Sequence, residues 1–143
     1  MKITRIAHIA VAAEQLEPVK AVFGDLLGLP MLRAARFESG TEMAMYGIGD
    51  MHVEVLHNPS AASLPGAFVQ EKGTGYFHLC LEVEDFQEAL VELIAKGVRL
   101  HPNSPRKGES GASVVFLDPA TTGGILIELA QAPDAAQAAH RPA

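Results

Sequence analysis

Several residue types are scarce in this 143-residue chain, and each scarcity excludes a class of protein. The single cysteine, Cys80, excludes an internal disulfide and is typical of a reducing compartment. Lys and Arg number 11 against 17 Asp and Glu, and the net charge of −6 without a basic block argues against binding to nucleic acid or an anionic membrane. No apolar run reaches the roughly 18 residues that span a bilayer, and no signal-peptide pattern opens the chain, which predicts a cytoplasmic protein.

The apolar residues that are present follow an internal repeat. His8-Ile-Ala-Val11 opens a strand-like run, and seventy residues later Gly75-Tyr-Phe-His-Leu-Cys-Leu-Glu-Val83 places His78 at the matching position. A helix-like apolar spacing follows each stretch at the same offset, so that Leu16 matches Phe86 and Phe23 matches Leu93. With 48% hydrophobic residues, the chain can bury one core, and we expect a single compact domain built from two similar halves.

A second repeated signature closes each half. Gly49-Asp-Met-His-Val-Glu-Val-Leu56 and Gly123-Gly-Ile-Leu-Ile-Glu-Leu129 both place a glutamate within an apolar strand pattern. A carboxylate buried in such a strand is costly unless it is paired or coordinated. Two histidines and two glutamates at matching positions, each on the inward face of a strand, predict a metal site formed by His8, Glu54, His78 and Glu128.

This donor set restricts the choice of metal. Two imidazole nitrogens and two carboxylate oxygens, without a thiolate, suit a divalent ion such as Co, Ni, Zn or Mn and differ from structural zinc and calcium sites. Such an ion acts as a Lewis acid on a carbonyl oxygen and stabilises the enolate that forms when the neighbouring carbon loses a proton. The predicted cofactor is therefore a divalent metal ion in an enzyme.

Alternation and three-four spacing predict the order of the elements. In each half one strand is followed by one helix and three further strands, and a short helix joins the halves. The sequence predicts helices over 14–27, 65–72 and 85–95, a polar loop over 102–111, and strands over 3–11, 31–37, 41–47, 51–56, 76–83, 98–101, 112–117 and 124–130. Residues 133–143 have no periodic apolar face, which predicts a flexible tail.

These motifs resemble the vicinal-oxygen-chelate (glyoxalase/bleomycin-resistance/dioxygenase) superfamily over nearly all of residues 3–131. Within it, the chain looks most like the methylmalonyl-CoA epimerase family. The resemblance implies an α+β fold of two tandem βαβββ modules, 3–58 and 75–131, in a curved mixed sheet around a metal-lined cavity. It also implies the ligand set His8, Glu54, His78 and Glu128. The motifs that carry it are the stretch around His78, Val53-Glu-Val-Leu-His57, Phe116-Leu-Asp-Pro119 and Thr122-Gly-Gly-Ile-Leu-Ile-Glu-Leu129.

The activity that this resemblance implies is removal of a proton next to a metal-bound carbonyl, as in epimerisation of a 2-acyl-CoA. Glu128 is the candidate to carry the proton, and Glu42 is a candidate second base because epimerisation needs a proton carrier on each face. His52 points the same way as Glu54, and the pattern favours a solvated strand end for it over a position at the cavity mouth. The expected partners are a small acyl-CoA substrate and a second copy of the chain in a homodimer.

Two alternatives stay open at this point. The same ligand set resembles bacterial glyoxalase I, a lactoylglutathione lyase, and Asp118-Pro119-Ala120 departs from the His-Pro-Lys usual in epimerases. The other alternative is a binding protein that sequesters a drug or another small molecule in the same cavity. The presence of all four candidate ligands favours an enzyme over the binding protein.

Overall fold

The computed structural model describes residues 1–102, 104–107 and 111–132. It confirms the predicted α+β class: the order strand, helix, three strands occurs twice, with one helix between. No helix within these residues is long and apolar enough to cross a membrane. The elements are β1 (Ile3–Ala12), α1 (Leu16–Ala21), β2 (Met31–Arg36), β3 (Glu42–Ile48), β4 (Met51–His57), α2 (Leu64–Lys72), β5 (Gly75–Val83), α3 (Phe86–Ala95), β6 (Arg106–Lys107), β7 (Ser113–Phe116) and β8 (Ile127–Gln131).

The chain forms two compact units. One is Ala7–Leu79, and the other combines Met1–Ile6 with Cys80–Ala143. These bounds differ from those of the predicted modules, 3–58 and 75–131, because β1 and β5 each contribute residues to both units. The tandem arrangement of the modules and the cavity between them therefore stay predictions. The tail over 133–143 lies outside the described residues.

In the unit Ala7–Leu79 the strands follow the order β2-β3-β4-β1-β5. β1 and β4 are parallel, whereas β3 is antiparallel to both β2 and β4. Successive side chains alternate between the two faces of a strand. One face of these strands therefore packs under α1, and polar side chains project from the other face. The core under α1 consists of Ala13, Ala44, Tyr46 and Val55, with Leu16, Val19, Phe23 and Leu29 packed against it.

The first helix is shorter than the sequence predicts. The regular helix ends at Ala21 and continues as a π-helical turn over Val22–Leu26, in which the Leu27 amide donates to the Val22 carbonyl across 3.0 Å. A π turn is wider than 3.6 residues, so it rotates the side chains that follow away from the buried stripe. Leu26 is therefore 76% exposed and is not part of the core under α1.

In the second unit α3 covers one core. Asp85 caps the helix by accepting a hydrogen bond from the Glu88 amide at 2.9 Å, which satisfies a donor that the first turn leaves free. The strands follow the order β5-β8-β7-β6, with β7 antiparallel to both β8 and β6. The side chains buried in this core are those of Val83, Phe86, Ala89, Leu90, Val115, Leu117 and Leu129.

The predicted strand over 98–101 is wrong. It is reduced to an isolated bridge between Leu100 and Leu117, and the short β6 lies instead within the predicted polar loop. Pro102 has no amide hydrogen to continue the ladder beyond His101. On the other side of the bridge, the Ala120 amide and the Arg99 guanidinium bind the carboxylate of Asp118 and hold its pKa below the usual range.

Leu90→Ala is expected to lower the free energy of unfolding by about 2–5 kcal/mol, the typical cost of a buried Leu→Ala cavity. Leu90 is 8% exposed in the core under α3. The matched control is Val91→Ala on the same helix, where a 70% exposed side chain predicts a change within about 0.5 kcal/mol. Urea unfolding followed by circular dichroism measures both, and equal losses would contradict this placement of the core.

Candidate metal centre

Three neighbouring strands of the unit Ala7–Leu79 carry the candidate ligands. His8 lies on β1, Glu54 on β4 and His78 on β5, and β1 runs between the other two strands. In the parallel pairing of β1 with β4, His8 is opposite His52 and Ala10 is opposite Glu54. Residues that are paired across two strands project to the same face of a sheet. Residues two apart on one strand also share a face, so Glu54 lies on the face of His52. The register thus places His8, His52 and Glu54 on one face.

The structure brings three of the four predicted ligands into contact. The Nε2 atoms of His8 and His78 are 3.1 Å apart, and His8 Nε2 is 3.3 Å from Glu54 Oε2. Two donors bound at 2.0–2.1 Å to one ion would be separated by roughly 3.0 Å at a right angle and by roughly 3.4 Å at a tetrahedral angle. Both observed distances fall within this interval, so His8 is spaced from each of these two neighbours as two ligands of one ion are.

The side chains of this cluster are largely buried. His8 and His78 are each 7% exposed, and the side chain of Glu54 is 15% exposed. Burying imidazole and carboxylate groups away from water costs free energy unless each finds a partner. A divalent ion offers partners to nitrogen and oxygen donors together, and this donor set suits Co, Ni, Zn or Mn.

His52 belongs to the same cluster, although the predicted ligand set leaves it out. Its Nε2 is 3.1 Å from Glu54 Oε1, and its ring centroid is 4.9 Å from that of His8. The donor atoms of His8, His52 and Glu54 all lie within 4.8 Å of one another. The signal in the sequence was the spacing of two residues within a strand, which places His52 and Glu54 on one face.

A stack of aromatic rings supports β5 next to the cluster. Phe77 is buried, and its ring centroid lies 5.3 Å from that of Phe68 on α2 and 4.9 Å from that of His78. Tilted ring pairs at this spacing contribute about 0.5–1.5 kcal/mol beyond the area that they bury. The connector helix α2 therefore helps to fix the strand that carries His78.

Two predicted site residues are carried by other strands. Glu128 is on β8 in the second unit, where it is buried, and its role as fourth ligand and proton carrier stays a prediction. Glu42 is the first residue of β3 and pairs with His57. By alternation it is on the same face of β3 as Ala44 and Tyr46, which belong to the core under α1. Its carboxylate is 3.7 Å from the guanidinium of Arg36. The structure does not bring Glu42 into the cluster, so its role as second base also stays a prediction.

The surface pocket found in this unit lies away from the cluster. It has a volume of about 420 Å³ beside α1 and the π-helical turn, and none of the candidate ligands lines it. It is therefore separate from the candidate metal centre. Its lining residues are Glu17, Lys20, Ala21, Gly24, Asp25, Leu29, Met31 and Tyr46.

Comparison with known proteins gives the same family as the motifs. Mitochondrial methylmalonyl-CoA epimerase of Mus musculus is 32% identical over 133 residues, which cover 92% of this chain and 75% of that protein. Ethylmalonyl-CoA/methylmalonyl-CoA epimerase of Cereibacter sphaeroides is 30% identical over 132 residues, 90% of this chain and 98% of that protein.

A solved structure of methylmalonyl-CoA epimerase in complex with methylmalonyl-CoA and NH4+ shares the fold. Its TM-score is 0.85 at 26% identity, and the match covers 93% of this chain and 97% of that chain. Residues 7–116 match the sequence pattern of a family that includes glyoxalases, bleomycin resistance proteins and dioxygenases. The chain therefore belongs to the Glyoxalase/Bleomycin resistance protein/Dioxygenase superfamily, as its motifs predicted.

Proposed function

We propose that the protein is a metal-dependent epimerase of a 2-acyl-CoA, with methylmalonyl-CoA as the first substrate to test. The observation that carries this proposal is the buried set of donors around His8, whose Nε2 lies 3.1 Å from that of His78 and 3.3 Å from Oε2 of Glu54. Two relatives that match nine-tenths of the chain are epimerases of this class, and a third binds methylmalonyl-CoA.

The proposed ligands are His8, Glu54, His78 and Glu128, and the ion is Co, Ni, Zn or Mn. When bound, such an ion supplies Lewis-acid polarisation of a carbonyl oxygen, which acidifies the neighbouring C–H bond. The strands hold His8 and His78 with their Nε2 atoms facing each other, so little reorganisation accompanies binding. Glu128 is assigned as fourth ligand because it occupies the repeat position of Glu54.

The proton steps are assigned to carboxylates of this chain. A carboxylate oxygen of Glu128 takes the proton from C2 of the acyl group, and the electron pair of the broken C–H bond moves towards the thioester carbonyl. Return of a proton to the opposite face of C2 inverts the centre, and Glu42 is the candidate donor for that face. Such general acid–base steps typically contribute about 10²–10⁴-fold to a rate. The acting form is proposed to be a homodimer.

The purified protein is expected to exchange the C2 hydrogen of methylmalonyl-CoA with solvent deuterium. Exchange follows from proton removal at that carbon, and proton NMR in deuterium oxide measures it directly. Chelation is expected to abolish exchange, and addition of cobalt to the chelated protein is expected to restore it. A protein that binds cobalt yet leaves C2 unexchanged would contradict the epimerase proposal, and turnover of a glutathione hemithioacetal would then support glyoxalase chemistry.

Removal of a proposed ligand is expected to weaken metal binding independently of any substrate. His78→Ala and Glu128→Gln should each raise the dissociation constant for Co²⁺ by more than about 100-fold, because loss of an outer partner alone typically costs 10–100-fold. Isothermal titration with cobalt chloride measures the affinity. The matched control is His101→Ala, a histidine in the second unit that is not assigned to the site. Unchanged affinity in both ligand variants would refute the four-ligand set.

Glu42→Gln is expected to slow epimerisation by about 100-fold or more while Co²⁺ affinity stays within about threefold of wild type, because Glu42 is assigned to proton transfer and not to the metal. Exchange at C2 should survive better than inversion, because one base suffices for exchange. Comparison of deuterium uptake with loss of optical activity separates the two. Glu38→Gln is the control carboxylate, in the turn before β3. Full turnover in Glu42→Gln would exclude Glu42 as second base.

A further inference from the structure

The two oxygens of Glu54 have different partners. Oε2 lies 3.3 Å from the Nε2 atom of His8, the nitrogen that also faces His78. Oε1 lies 3.1 Å from the Nε2 atom of His52. A carboxylate without its proton only accepts hydrogen bonds, so the contact with His52 makes that Nε2 the donor. The orientation of the carboxylate is thus set from two sides.

We propose that His52 is a positioning residue for the metal centre: it holds Oε1 of Glu54 so that Oε2 alone is presented to the ion beside His8 and His78. This inference rests on the proposed function, because it assigns a role towards the same ion. His52 is not a member of the predicted ligand set. The internal repeat does not point to it either, because the matching position in the second half is occupied by Leu126.

The strand geometry makes this role specific to His52. Residues 52 and 54 of β4 project to the same face, and in the parallel register His52 is opposite His8. The ring of His52 is therefore held at 4.9 Å from the ring of His8 while its Nε2 reaches Glu54. Its side chain is largely buried, which limits competition from water for the hydrogen bond.

A hydrogen bond to the outer oxygen of a ligating carboxylate restricts that ligand to one orientation. Removal of such a partner typically lowers the metal affinity by about 10–100-fold. The two histidines contact different oxygens of this carboxylate, because the Nε2 of His52 contacts Oε1 and the Nε2 of His8 contacts Oε2. Direct coordination by His52 is a separate outcome that the experiment distinguishes.

The test compares two variants at His52 by Co²⁺ titration calorimetry, with X-ray absorption to count imidazole ligands. His52→Leu removes the N–H donor and is expected to raise the dissociation constant about 10–100-fold. His52→Gln keeps an N–H donor, and its affinity is expected within about fivefold of wild type. Both variants should keep the wild-type number of imidazoles around cobalt. His57→Gln is the matched control: this histidine on the same strand donates from Nδ1 to the Ala13 carbonyl on the other face.

A double-mutant cycle then tests whether His52 acts through Glu54. In a Glu54→Ala background, His52→Leu is expected to change Co²⁺ affinity by less than about threefold, because the carboxylate that it positions is gone. A fold defect would lower affinity in both backgrounds and would also appear in the far-ultraviolet circular dichroism spectrum.

Three results would overturn the inference. The first is wild-type affinity in His52→Leu, and the second is an equal loss in the two backgrounds of the cycle. The third is the loss of one imidazole from the cobalt shell of His52→Gln, which would make His52 a direct ligand. Each of these leaves the epimerase proposal intact. A wild-type protein that binds no Co²⁺ would instead overturn the metal-dependent function together with this inference.

Discussion

The parallel pairing of β1 with β4 is the constraint on which the candidate site depends. Its register sets His8 opposite His52 and Ala10 opposite Glu54, and thereby collects three polar side chains on one face. A slip of one residue would turn Glu54 and His52 towards the core under α1, because side chains alternate along a strand. Burial of imidazole and carboxylate groups is tolerated only while these partners stay within reach of one another.

Small residues around the cluster make this close approach possible. Ala10 is fully buried directly opposite Glu54, and Ala12 is fully buried two residues further along β1. A larger side chain at Ala10 would occupy the space next to the carboxylate, since protein interiors are close-packed. The opposite face of the same strands carries Val53 and Val55, which belong to the apolar side. The sheet thus separates an apolar core from a polar centre by alternation alone.

Membership of the superfamily does not by itself decide the reaction. One fold supports several chemistries, and function follows from the residues placed on it. Here the buried donors of Ala7–Leu79 support metal binding, while the choice of an acyl-CoA rests on the relatives. Phe77 precedes the candidate ligand His78 on β5, and its ring packs against that of Phe68 on α2. Its role in the structure is therefore packing.

Local patterns in the sequence were enough for the element order, the buried strands and the correspondence of His8 with His78. Alternation and helical spacing are properties of neighbouring residues, so these predictions needed no knowledge of distant contacts. The π-helical turn that exposes Leu26, the isolated bridge at Leu100 and the contact of His8 with Glu54 were decided by tertiary structure. Each depends on backbone hydrogen bonding, strand register or side-chain geometry, which periodicity does not encode.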